Sequence, residues 1–129
     1  MICLDSSFVI DYWHGEPFAG EFMKRHTGSV GIPTVALFEL YVGALLSDAP
    51  TTDIATVASD LDFAAPLPFD DGAAREAARI DTALSERGEP INLGDVLIAG
   101  VARYQDVALV ATDTDFERIP GLELRNPAV

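Results

Sequence analysis

The sequence is short of the residues that bind zinc or close disulfides, with one cysteine and two histidines among 129 residues. A lone thiol cannot form a disulfide within the chain. Cys3 also stands in the apolar run Ile2-Cys3-Leu4, where an inert buried thiol is expected. This usage suits a reducing, cytoplasmic compartment. His14 and His26 show no metal-ligand spacing and have no nucleophile beside them, so surface or packing roles are expected of both. Apolar stretches of membrane-spanning length are missing, and the start of the chain lacks the basic region and cleavage site of an export signal.

Positive charge is scarce too. Eight Lys and Arg stand against 21 Asp and Glu, a net charge of -13, and Lys24 is the only lysine. Such a charge repels nucleic acid at low salt and counts against a conventional basic nucleic-acid binder. A high-salt cytoplasm permits it, because screening shortens electrostatic range to roughly 3 Å at 1 M salt. The second reading is the expectation adopted.

The chain does have enough apolar residues, 49%, to close one core, and its length predicts a single domain over residues 1–129. Residues 1–4 read as a buried strand, with Ser6-Ser7 supplying cap chemistry for a helix through Trp13. A short helix over 18–26 and a brief strand over 28–32 follow. Pro33-Thr34 opens a helix to Leu46 that Asp48 and Pro50 end; it is apolar nearly all round and so is expected to be mostly buried. Thr51-Thr52-Asp53 caps a helix to Leu61, 64–69 fits a third strand, and Asp70-Asp71 starts an outer helix to Arg87. A helix over 93–104, a fully apolar strand over 107–111 and a last strand over 122–124 complete the reading. Strands alternating with helices predict an α/β fold, a parallel sheet with helices on both faces.

Most acids here lie among polar neighbours, but four do not. Asp5 follows Ile2-Cys3-Leu4, and Glu39 is the only charge between His26 and Asp48. Asp95 is the only one between Glu89 and Arg103, and Asp113 ends the apolar run before it. Acids rarely occupy such places unless paired or bound to metal. Singly, each has an innocent explanation as a cap, a turn former or a partner of backbone or Arg. Topology weakens that explanation. Asp5 and Asp113 fall at the carboxyl ends of the first and fourth strands, the edge that holds the crevice of an open parallel sheet, and helix residues Glu39 and Asp95 can reach it. With only Arg118 near them in sequence, repulsion should raise at least one pKa, a conflict that Mg²⁺ or Mn²⁺ would relieve. Phe8, Tyr12 and Trp13 could stack on bases, but helical spacing beside a strand favours core or dimer-interface places.

Four segments in order resemble the PIN-domain ribonucleases, and in particular VapC-type toxins of toxin-antitoxin pairs. They are Leu4-Asp5-Ser6-Ser7-Phe8-Val9-Ile10-Asp11, Pro33-Thr34-Val35 through Glu39-Leu40 and Gly43-Ala44, Asp95-Val96-Leu97-Ile98-Ala99, and Thr112-Asp113-Thr114-Asp115-Phe116-Glu117-Arg118-Ile119. The resemblance implies a three-layer α/β/α fold with a mostly parallel sheet of four to five strands. It implies a Mg²⁺ or Mn²⁺ site at Asp5, Glu39, Asp95 and Asp113. The last motif departs from the commoner spacing, since one residue separates Asp113 from Asp115; Asp113, nearer the strand end, is chosen and Asp115 is the second choice. Asp11 is read as structural. The implied activity is metal-dependent hydrolysis of single-stranded or loop RNA, leaving 5′-phosphate and 3′-hydroxyl ends. A cognate antitoxin and a homodimer are also implied.

Two rivals remain. An inactive PIN-like module would bind only a protein or RNA partner, using Asp5 and Asp95 as caps. Another Mg²⁺ enzyme on a similar sheet fits less well: the best-known phosphatases need an Asp two residues after the first, where Ser7 stands, and a phosphorelay receiver needs a late Lys.

Overall fold

A computed structural model of the protein describes residues 1–49 and 53–129. Five short strands form one sheet: β1 (Ile2–Leu4), β2 (Val30–Pro33), β3 (Ala65–Leu67), β4 (Ala108–Val110) and β5 (Leu124–Arg125). Their order is β3-β2-β1-β4-β5, with every neighbouring pair parallel. The apolar run at the start of the chain therefore becomes the central strand, its three residues all buried. Leu4 pairs with Val110, and the Asp5 N–H donates to the Val110 carbonyl at 3.1 Å, extending the ladder by one residue. The chain winds outward from β1 through β2 to β3, then returns to the other side of β1 with β4. The carboxyl ends of β1 and β4 flank the point where the winding reverses, where crevices open in such sheets.

Among the described residues, six helices cover the sheet: α1 (Ser6–Trp13), α2 (Pro17–Arg25), α3 (Thr34–Leu45), α4 (Ile54–Asp60), α5 (Asp71–Glu86) and α6 (Leu93–Gln105). A 3-10 turn, Thr114–Arg118, follows β4. None of the described helices is long and apolar enough to cross a membrane.

α5 and α6 pack closely because α5 presents a stripe of Ala73, Ala77, Ile80 and Leu84, spaced for one helix face, and α6 meets it with Gly100. A Cβ at Gly100 would stand 2.7 Å from the Ala77 Cβ and 2.9 Å from the Ala73 carbonyl oxygen, both held by helix backbone. Gly100→Ala is therefore expected to force the helices apart and destabilise the protein by about 1–3 kcal/mol, read from chemical denaturation. An unchanged midpoint would contradict that packing.

Several expectations need correction. The cap of α1 is Asp5, not Ser6 or Ser7; Ser6 is already helical and its hydroxyl is used elsewhere. Of the residues expected to cap α4, Thr51 and Thr52 lie outside the described residues, as does Pro50. Asp53 is the cap, accepting from the Thr56 N–H at 2.8 Å. The last strand sits two residues later than expected, at Leu124–Arg125, where it pairs with β4.

The largest correction concerns α3. An all-apolar helix was expected to be mostly buried, yet only Ala36, Leu40 and Ala44 are, while Phe38 is 65% exposed and Leu45 64%. An outer-layer helix can bury only one face against a sheet; its other face is apolar for a reason the monomer's core does not supply. Phe8 is fully buried as expected, but Tyr12 and Trp13 on the same helix are more than a third exposed and are not core.

Candidate active site

Asp5 is the one buried charged residue among those described. It ends the central strand and begins α1, so its side chain is fixed at the carboxyl edge of the sheet by two rigid elements. Burial pushes its pKa up to about 7; the charges of Asp95 and then Glu39 push the same way. The amides of Ser6 and Ser7 pull the value down, but without closing a cap hydrogen bond.

Asp95 lies in the first turn of α6, a helix capped by Asn92, whose side chain accepts from the Gly94 N–H at 2.8 Å. Burial raises its pKa to about 6, followed by the charges of Asp113, Glu39 and Asp115. Glu39 projects from the third helix, where the Ser6 hydroxyl donates to its Oε1 at 3.0 Å across 33 residues of sequence. Its other oxygen occupies space that a side chain on residue 94 would need: a Cβ at Gly94 would stand 3.0 Å from Glu39 Oε2. Asp113 follows β4 and caps the 3-10 turn, accepting from the Asp115 N–H at 2.8 Å. Asp115 pairs with Arg118 at 3.4 Å.

The structure thus brings Asp95 and Glu39 within electrostatic reach of Asp5, and Asp113, Glu39 and Asp115 within reach of Asp95, which links the four acids through Asp95. Every charge acting on Asp5 and Asp95 is another carboxylate. Arg118 is the one cation among the described residues that touches a member of the group, and it touches Asp115. Among the described residues, no three carboxylate, imidazole or thiol groups converge on one point closely enough to enclose an ion as they stand. What fits a hard divalent cation is the chemistry of the donors, all carboxylate oxygens, and a burial conflict that such a cation would resolve.

Ser6, Gly94 and Arg118 are the residues that sequence reasoning missed or misplaced. Ser6 was read as a cap because it precedes an apolar helical run; its real partner is distant in sequence. Gly94 carried no motif signal, and only the closeness of α3 and α6 explains it. Arg118 was visible as the lone nearby cation, without its partner.

Residues 2–122 match the PIN domain family. Among curated relatives, the chain is 33% identical over 103 residues to the tRNA(fMet)-specific endonuclease VapC of Shigella flexneri, covering 79% of this chain and 78% of that protein. It is 39% identical over 97 residues to Ribonuclease VapC5 of Mycobacterium tuberculosis, covering 71% and 70%. Among solved structures, the DNA-bound VapBC of Salmonella typhimurium superimposes with a TM-score of 0.87 at 27% identity, covering 98% of this chain and 97% of that one. A five-stranded parallel sheet in this order, a family match over residues 2–122 and a third of the aligned residues identical to proteins of that name make the chain a PIN-domain member of the VapC ribonuclease family.

Proposed function

We infer that the protein is a divalent-metal-dependent endoribonuclease, the toxin of a toxin-antitoxin pair, which hydrolyses phosphodiester bonds in single-stranded or loop RNA in the cytoplasm. One observation carries this reading: a buried aspartate with a pKa near 7, surrounded by carboxylates and no cation, at the carboxyl edge of a parallel sheet. An inactive binding module would have no use for that arrangement, since caps and turn formers do not need to share one crevice.

Asp5, Glu39, Asp95 and Asp113 would hold Mg²⁺ or Mn²⁺. Asp113 is preferred to Asp115, whose charge is already engaged by Arg118. When bound, the metal lowers the pKa of water and stabilises charge developing on the phosphate. The chain's own residues do the positioning. Ser6 holds one Glu39 oxygen, Asn92 caps the helix that carries Asp95, and the Asp115 amide holds Asp113. A single strand or loop, whose bases can splay, would present a phosphodiester to this edge of the sheet more readily than a duplex. The relatives' VapBC complex supports an antitoxin partner for this chain, and the apolar outer face of α3 supports a homodimer.

The test is cleavage of single-stranded RNA by the purified toxin with Mg²⁺ or Mn²⁺ present, which EDTA should stop. Cleavage that continues in EDTA would overturn the metal assignment, and no cleavage of any RNA with either metal would favour the binding module.

Two positioning residues give finer predictions. Ser6→Ala removes the hydroxyl that orients Glu39 and is expected to lower cleavage by about 10- to 100-fold with little change in stability, because Glu39 is only partly buried. Gly94→Ala leaves the hydroxyl in place but pushes on the other oxygen, and a loss of about tenfold is expected. Steady-state kinetics checked against thermal midpoints would separate misplacement of Glu39 from unfolding.

A further inference from the structure

Glu39 has a second neighbourhood. With Trp13 at the end of α1 and His14 just after it, Leu40 and Ser47 on the α3 side and Val57 of α4, it lines a cavity of about 310 Å³. Resting on the ribonuclease reading above, we propose that this cavity receives one unstacked nucleobase of the RNA strand, beside the phosphodiester at the carboxylates, with the Trp13 indole as its stacking surface.

Continuity with the carboxylates gives the first argument. Glu39 belongs both to the acid group and to the cavity wall, so a strand whose phosphate meets the carboxylates has a neighbouring base within reach of the cavity. Size gives the second: the volume lies at the lower end of the range for small-ligand sites, about 300–1,000 Å³, which suits one planar heterocycle. The lining gives the third. Apolar walls carry a few polar groups, the His14 imidazole and the Ser47 hydroxyl, that can meet base edges.

Charge gives the fourth and heaviest argument. With eight cations in the whole chain and only Arg118 touching the acid group, phosphate attraction cannot supply much affinity for RNA. Stacking can, because every base offers a π-face and the interaction needs no protein charge. Of the three aromatics of α1, Phe8 and Trp13 have opposite surroundings. Phe8 is fully buried and packs edge-on against Phe22 at 5.7 Å, whereas Trp13 is 39% exposed on the cavity.

Trp13 is the only tryptophan, so its emission reports on its own surroundings. The experiment titrates a single-stranded oligoribonucleotide of mixed sequence into the cleavage-deficient Asp5→Asn protein, and measures cleavage kinetics for wild type, Trp13→Ala and Trp13→Phe. Saturable quenching that persists toward molar KCl is expected. Trp13→Ala should raise KM about tenfold with kcat little changed, and Trp13→Phe should recover most of the loss. No quenching and an unchanged KM, in a protein whose cleavage still depends on Asp5, would overturn the base subsite and leave the nuclease reading standing. Normal kinetics with a weakened complex with the cognate antitoxin would assign the surface to a protein partner and also overturn it. If wild type cuts no RNA, the nuclease reading falls, and absence of quenching then removes the subsite as well.

Discussion

Asp5→Asn is expected to reduce metal-dependent RNA cleavage more than about 100-fold while making the metal-free protein more stable at pH 8. The activity loss follows from position. Groups that merely orient a metal ligand are worth about 10- to 100-fold, and Asp5 would be a ligand itself. The gain in stability follows from the raised pKa of about 7. The folded state binds this proton more tightly than the unfolded chain, whose carboxylate titrates near its ordinary value. The ionised form is therefore penalised only in the folded state. That penalty is absent below about pH 4, grows as pH rises and is complete above about 7, where it is on the order of 4 kcal/mol. Asparagine removes the charge, still accepts from the nearby amides, and offers its own N–H groups to Glu39 and Asp95. Urea denaturation of both proteins in EDTA at pH 4 and pH 8 measures the difference. An Asp5→Asn protein less stable than wild type at pH 8 would mean that the aspartate is a structural cap rather than a strained carboxylate.

Much of this site was legible in the sequence, because burial and charge conflict within short windows. An acid directly after Ile2-Cys3-Leu4, or alone in an apolar helix such as Glu39, marks itself without any alignment. The strand-helix alternation then fixed which ends of which elements meet, and the observed sheet places Asp5 and Asp113 after neighbouring strands, as the pattern predicts. What stayed hidden depends on contacts between elements far apart in sequence. The Ser6 hydroxyl bonds Glu39 across 33 residues, and local pattern offered it only a cap. Gly94 matters because an α3 side chain approaches α6, which no single segment can reveal. The same limit explains α3. Hydrophobic content predicted burial, but content cannot tell a helix covered by its own chain from one whose outer face awaits another molecule. Trp13 belongs to that class too: its spacing suited a core or dimer-interface place, and only the fold set it beside a cavity.

Metal affinity itself should depend steeply on pH, in the sense opposite to the stability of the metal-free protein. Asp5 and Asp95 bind protons with pKa values of about 7 and about 6, and a cation must displace those protons to reach the oxygens. The two groups repel each other, so they titrate as a coupled pair rather than as independent sites. At pH 8 both are ionised; the cation meets preformed charge and relieves repulsion as it binds. At pH 5 both are protonated and binding must release up to two protons. Affinity for Mg²⁺ or Mn²⁺ is therefore expected to rise by up to about 100-fold per pH unit between pH 5 and 6, and to level off above about 7. Titration calorimetry at fixed ionic strength, in buffers of different ionisation enthalpy, counts the protons directly. Thermal midpoints give an independent reading, because a cation at about 100 times its Kd adds about 2.7 kcal/mol at pH 8 and much less at pH 5. An affinity that stays flat from pH 5 to pH 8, with no proton release, would mean that the ion binds elsewhere and that the buried pair of aspartates is not its site.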